Sequence, residues 1–91
     1  MSVTVRLPSQ LRTLVGGAGE VPVDAATVRE AIAAVDAAYP GIALRVLDDR
    51  GALRRFVNVF VADEDVRFLQ GLDTVLEAGQ TVSLVPAVAG G

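Results

Sequence analysis

Val28, Ala31, Ile32, Val35 and Tyr39 recur at the spacing of an α-helix and make one apolar stripe, in a chain of 91 residues whose other apolar runs are short and strand-like. A helix with a single apolar face has to bury that face against something, and here the only available partner is a sheet. The helix opens on Thr27-Val28-Arg29-Glu30, a capping box in which the Thr27 and Glu30 side chains satisfy orphan backbone donors, with Asp24 as the alternative cap. Pro40-Gly41 ends it.

The strands come on either side. Val3-Thr4-Val5-Arg6-Leu7 alternates apolar and polar residues, as a strand buried on one face does, and Pro8 closes it. A loop with Gly16, Gly17 and Gly19 leads to Val21-Pro22-Val23, which Pro22 places at a sheet edge because it cannot donate to a ladder. The loop has neither the Lys nor the strand-to-helix context of a phosphate-binding loop and reads as a hairpin loop. Ile42 to Leu47 fits either a helical turn or a short strand, and Asp48-Asp49-Arg50-Gly51 marks a turn after it. Phe56 to Ala62, rich in β-branched and aromatic residues, carries the strongest strand signal. Asp63-Glu64-Asp65 then turns the chain into a short strand, Val66-Arg67-Phe68; Leu72 to Leu76 reads as a helical turn; and Glu77-Ala78-Gly79-Gln80 reverses into the last strand, Thr81 to Val85. This order predicts an α+β domain, with one main helix packed across one face of a mixed sheet.

Such a sheet has a covered face and an open face. Val57, Val59 and Val61 share one side of their strand, and Phe56, Asn58 and Phe60 the other. With the valines against the helix, Phe56 and Phe60 lie on the open face beside Arg6 and Val85, a candidate docking patch for a partner. The competing register buries the phenylalanines instead.

The chain contains no Cys, no His and no Lys. Without His, no side chain has an ordinary pKa suited to proton transfer near neutrality, and the Ser and Thr hydroxyls have no evident activating base. A zinc, iron or copper site would have to be built from carboxylates, which suit hard cations instead, and Asp63-Glu64-Asp65 lacks the spacing of a calcium loop. We therefore expect no catalytic residues, no metal and no intrinsically bound cofactor. A net charge of −3 with scattered arginines offers no footprint for nucleic acid, and Arg54-Arg55 reads as a solvated approach to a strand. No run reaches membrane-spanning length and Met1 to Arg6 has no signal-peptide character, so a cytoplasmic protein is expected.

What remains is the end of the chain. Thr81-Val82-Ser83-Leu84-Val85-Pro86 runs into Ala87-Val88-Ala89-Gly90-Gly91, so the expected division is a folded body over 1–86 and a flexible tail over 87–91. Gly90 and Gly91 carry no Cβ and can thread a narrow channel, and five extended residues reach about 17 Å. The element order, the Leu-Glu-Ala-Gly-Gln-Thr-Val turn before the last strand and the ending Pro86 to Gly91 resemble the ubiquitin-like sulfur carriers of the ThiS and MoaD type. Arg55 to Val61, Asp63 to Phe68 and the tail are most similar to the subgroup serving an alternative route of cysteine biosynthesis in actinobacteria.

The resemblance implies a ubiquitin-like β-grasp fold whose chemistry takes place at the carboxylate of Gly91, with Gly90, Ala89 and Val88 as the arm that presents it. A ubiquitin-activating-like adenylyltransferase and sulfurtransferase would adenylate Gly91 with ATP, and sulfur would displace AMP to leave a thiocarboxylate. A sulfur-accepting synthase, pyridoxal-phosphate-dependent in the cysteine subgroup, would take the sulfur, and a metalloprotease would release the adduct. A chain without Cys or Lys also offers an activated acyl group few internal nucleophiles. The alternatives are the small subunit of molybdopterin synthase, which typically carries Pro-Pro where this chain has Pro86-Ala87, a carrier for a secondary-metabolite pathway, and a ubiquitin-like protein modifier.

Overall fold

The computed structural model describes residues 2–86, and the tail of 87–91 lies outside the described residues. Along the chain come β1 (Ser2–Arg6), α1 (Ser9–Arg12) continued by a 3-10 turn (Thr13–Val15), β2 (Glu20–Asp24), α2 (Val28–Ala38), α3 (Ile42–Val46), β3 (Val57–Val61), β4 (Glu64–Asp65), two 3-10 turns (Val66–Phe68 and Gly71–Asp73) and β5 (Thr81–Pro86). The five strands form one sheet in the order β2-β1-β5-β3-β4. β5 runs parallel to β1 and antiparallel to β3, and the remaining pairs are antiparallel, so the sheet is mixed.

The valine register is the one adopted. Val59 is 0% exposed, and Val61, Val82, Leu84, Val3 and Val5 are buried with it under Val28, Ala31, Ile32 and Val35 of α2. Burying these side chains supplies about 1.5 to 3 kcal/mol each relative to exposure, which decides the register, because a one-residue slip would turn the whole valine set out to water. Pro22 sits in β2, at the edge of the sheet.

Local hydrogen bonding accounts for the helix limits. The Thr27 Oγ1 accepts from the Glu30 N–H at 3.2 Å, while Glu30 Oε1 accepts from the N–H of Ala26 at 2.9 Å, one residue earlier than a standard capping box. Asp36, near the end of α2, accepts with one carboxylate oxygen from the N–H groups of Gly41 and Ala43, each at 3.0 Å. It thereby caps the start of α3, with Gly41 at a φ of 113° that favours glycine. This settles Ile42–Val46 as helical, with Ile42 and Val46 buried, while Leu47 is extended and bridged to Leu53.

Five expectations are corrected. Phe56 precedes β3 and lies in a turn, outside the strand. The hairpin after β3 turns at Ala62 and Asp63, whose φ values of 53° and 66° make it a two-residue loop between the paired Val61 and Glu64. The return strand is therefore Glu64–Asp65; Asp65 then accepts the Arg67 N–H at 2.8 Å and bends Val66–Phe68 into a 3-10 turn where a strand was expected. The loop between β1 and β2 is helical over 9–15, and the helical turn expected at 72–76 occupies Gly71–Asp73, leaving Val75 bridged to Thr27.

Candidate functional site

The strand that leads to residues 87–91 is the central one. β5 is hydrogen-bonded on one side to β1, with Thr4, Val5 and Arg6 opposite Thr81, Val82 and Ser83, and on the other to β3, where Val57 pairs with Pro86 and Asn58 with Val85. The last described residue, Pro86, is thus paired with Val57 at the start of β3, three residues beyond Ser83, where the pairing with β1 ends. Whatever acts on the tail meets a rigid anchor there.

Around this anchor the surface is dimpled. One depression of about 220 Å³ is lined by Pro8, Leu11, Arg45, Phe56, Val85 and Pro86 among others. A second, of about 230 Å³, shares Pro8, Leu84, Val85 and Pro86 and adds Arg6 and Arg12. Further along the sheet a third, of about 290 Å³, is lined by Arg6, Phe60, Asp63, Gln80, Thr81 and Ser83.

The four residues expected as one patch are thus spread over three adjoining depressions. Arg6 and Phe60 meet in the third, Arg6 and Val85 in the second, and Phe56 and Val85 in the first. Phe56 is 60% exposed and Val85 41% exposed, whereas Phe60 is half-buried. Arg6 is committed in part to Glu20 on the neighbouring β2, with Nη2 3.1 Å from the carboxylate. Gly91, Gly90, Ala89 and Val88 lie outside the described residues.

The sequence pattern does not mark Leu11, Arg12 and Arg45 as neighbours of Pro86, and shows Pro8 only as the end of a strand. Four residues of α1 are too few to show a helical period, so the short helix and its outward side chains carried no signal. Arg12 is fixed by donating Nε to the Leu7 carbonyl at 3.1 Å. Phe68, at 85% the most exposed large apolar side chain among the described residues, was read as part of a strand; it lies on the 3-10 turn after the edge strand β4.

A further depression, of about 400 Å³, lies beside α2 and is lined by Arg29, Arg50 and Arg67 with Leu53 and Leu72. Two of these guanidinium groups are already engaged. Arg29 donates to Asp73 at 3.2 Å, and Arg67 donates to the Arg54 and Val57 carbonyls at 2.9 and 2.8 Å and to Asn58 Oδ1 at 2.9 Å. Asp48, in the turn before β3, has its carboxyl held below the usual carboxylate value, first by the Ala52 N–H, then by that of Arg50, with the Arg50 and Arg54 charges adding to both. The dense run Asp63-Glu64-Asp65 is spent on the hairpin and on Arg67.

A mixed five-stranded sheet with its central strand leading into a glycine-terminated segment, and a helix packed across one face, defines a ubiquitin-like β-grasp protein. The ThiS family profile matches residues 5–91, and the chain belongs to that family. Within it the chain is CysO-like: the sulfur carrier protein CysO of Mycobacterium tuberculosis is 45% identical over 93 aligned residues that cover 100% of both chains. A chain in the crystal structure of the Amycolatopsis orientalis BexX/CysO complex is 46% identical, superposes with a TM-score of 0.91 and is matched over 99% of its length by 98% of this one. The small archaeal modifier protein 3 of Haloferax volcanii is 40% identical over 68 residues, 75% of this chain and 73% of its own. No helix among the described residues is long and apolar enough to cross a membrane.

Proposed function

We propose that this chain is a sulfur carrier in which residues 1–86 serve as the recognition body and 87–91 as the reactive arm, and that it is a protein substrate for partner enzymes, without catalysis of its own. The full-length likeness to CysO, running through the terminal glycines, carries this reading. In the first step a carboxylate oxygen of Gly91 attacks the α-phosphate of ATP in an adenylating partner, releasing pyrophosphate. In the second, a sulfur nucleophile attacks the acyl carbon and the bond to AMP breaks, leaving a thiocarboxylate. The terminal sulfur then passes to an acceptor synthase, which for a CysO-like carrier is one that makes cysteine.

The chain's own contribution is mechanical. Ordering five arm residues costs about 1 to 2 kcal/mol apiece, and docking of the rigid body has to offset that cost. The surface around Pro86 supplies apolar and cationic side chains for this purpose. ATP, metal and pyridoxal chemistry belong to the partners.

Intact-mass measurement after incubation with ATP, a sulfide source and an activating enzyme tests the reading. Exchange of one oxygen for sulfur at Gly91 supports it; an unmodified chain beside an active enzyme refutes it. The likeness to an archaeal modifier protein favours a second reading, attachment of Gly91 to target lysines. Isopeptide-linked adducts of this chain recovered from cells would favour that one.

A further inference from the structure

We infer that the base of the arm is a basic collar that docks onto an acidic rim around the partner's active-site channel, an inference that rests on the sulfur-carrier reading. Arg6, Arg12 and Arg45 line the two depressions that share Pro8, Val85 and Pro86, and no Asp or Glu lines either of them. The chain as a whole is acidic, with 11 Asp and Glu against 8 basic residues. Three of those eight guanidinium groups are therefore gathered around one point of a negatively charged molecule, and that point is where residues 87–91 begin.

Their hydrogen bonding leaves donors free for a partner. Arg45, on α3, forms no hydrogen bond or ion pair among the described residues, and Arg12 spends only Nε, on Leu7. Arg6 is shared with Glu20 in an exposed pair at 3.1 Å, which a well-placed carboxylate can compete for. Between them Phe56, Leu11 and Pro8 form an apolar dimple suited to one aliphatic or aromatic side chain.

Chain length dictates what covers this surface. Any active site that holds Gly91 lies within about 17 Å of Pro86, the reach of five extended residues. The protein surface surrounding that site must then press against the collar. A rim bearing carboxylates would steer the arm into the channel and lower the cost of docking, whereas a basic rim would repel it. The occupant is thus a protein surface with an acidic rim and an apolar knob.

The experiment measures thiocarboxylate formation against carrier concentration, with ATP, sulfide and an activating enzyme that processes the wild-type chain. Arg45→Glu should raise the half-saturating carrier concentration about tenfold at about 50 mM salt, an effect that shrinks toward unity at about 500 mM, with the maximal rate unchanged. Arg12→Gln should act in the same direction by about threefold. Arg50→Glu, on the far depression, should leave the curve in place. Arg45 bonds to nothing among the described residues, so its variant should stay folded, which thermal unfolding checks. An unchanged half-saturating concentration for Arg45→Glu, or one equally raised by Arg50→Glu, overturns the collar while leaving the carrier reading intact. A wild-type chain that no activating enzyme thiocarboxylates overturns both.

Discussion

Arg67 ties the irregular approach to β3 to the first residues of that strand. Its guanidinium bonds to two carbonyls, Arg54 and Val57, and to the Asn58 side chain, spanning the turn that carries Phe56 into β3. Charge-assisted hydrogen bonds of this kind contribute about 1.5 to 3 kcal/mol when shielded, and partial exposure brings the sum down. Arg67→Ala should therefore cost about 2 kcal/mol in denaturant unfolding and loosen the Phe56 end of the sheet, seen as faster amide exchange at 54–58. Nothing in the sequence marks Arg67, since its partners lie 9 to 13 positions away on an irregular path. Asp48 offers a pH-dependent counterpart. Its carboxyl is held below the ordinary value of 3.8 by N–H groups that bond the charged form. The stability it contributes is fully present above that value and is lost as pH falls through the lower value of the folded state. A carboxyl titration of Asp48 by NMR should show its midpoint below 3.8, and a midpoint at or above it would contradict the turn geometry.

Elements whose pattern repeats were legible, and elements set by one or two side chains were not. α2 announces itself over three turns, and the alternation of Val57, Val59 and Val61 fixes the sheet's inner face, because burial of a full set outweighs any single local preference. The limits of β4 and α3, by contrast, depend on Asp65 and Asp36 finding particular N–H groups, which no periodicity reports. The β3–β4 hairpin shows the same point in energy. It places Ala62 and Asp63 at positive φ, a conformation costing a side chain such as alanine about 1 to 2 kcal/mol. Replacing the pair with Asn-Gly (Ala62→Asn with Asp63→Gly) should stabilise the fold by about 1 kcal/mol and raise Tm by several degrees. At the opposite end of the sheet, Thr27→Ala should cost about 1 kcal/mol, since its hydroxyl caps the first turn of α2.

At the scale of the molecule, the proposed function assigns stability to the body and reaction to the arm. The body holds a core in which Ile32 and Val59 are buried between helix and sheet, so Ile32→Ala should cost about 2 to 5 kcal/mol and reduce carrier activity only through loss of folded protein. The described body contains no buried ionised group, and its three arginines at the arm's base serve docking in the account given above. The proposal that residues 87–91 react rests on what the composition lacks and on the family likeness, whereas the grouping of Arg6, Arg12 and Arg45 around Pro86 became visible only once α1 and α3 were placed beside β5. The central claim is that the carboxylate of Gly91 is the reacting group and that the body merely delivers it. It is tested most directly by intact-mass and fragment-mass analysis of the wild-type chain and a chain lacking Gly90 and Gly91, each incubated with ATP, sulfide and the activating enzyme. The account predicts one oxygen-to-sulfur exchange localised to Gly91 in the first, and in the second no exchange and an unaltered unfolding curve. Exchange in the truncated chain, or sulfur found anywhere but at the terminal carboxyl, would contradict it.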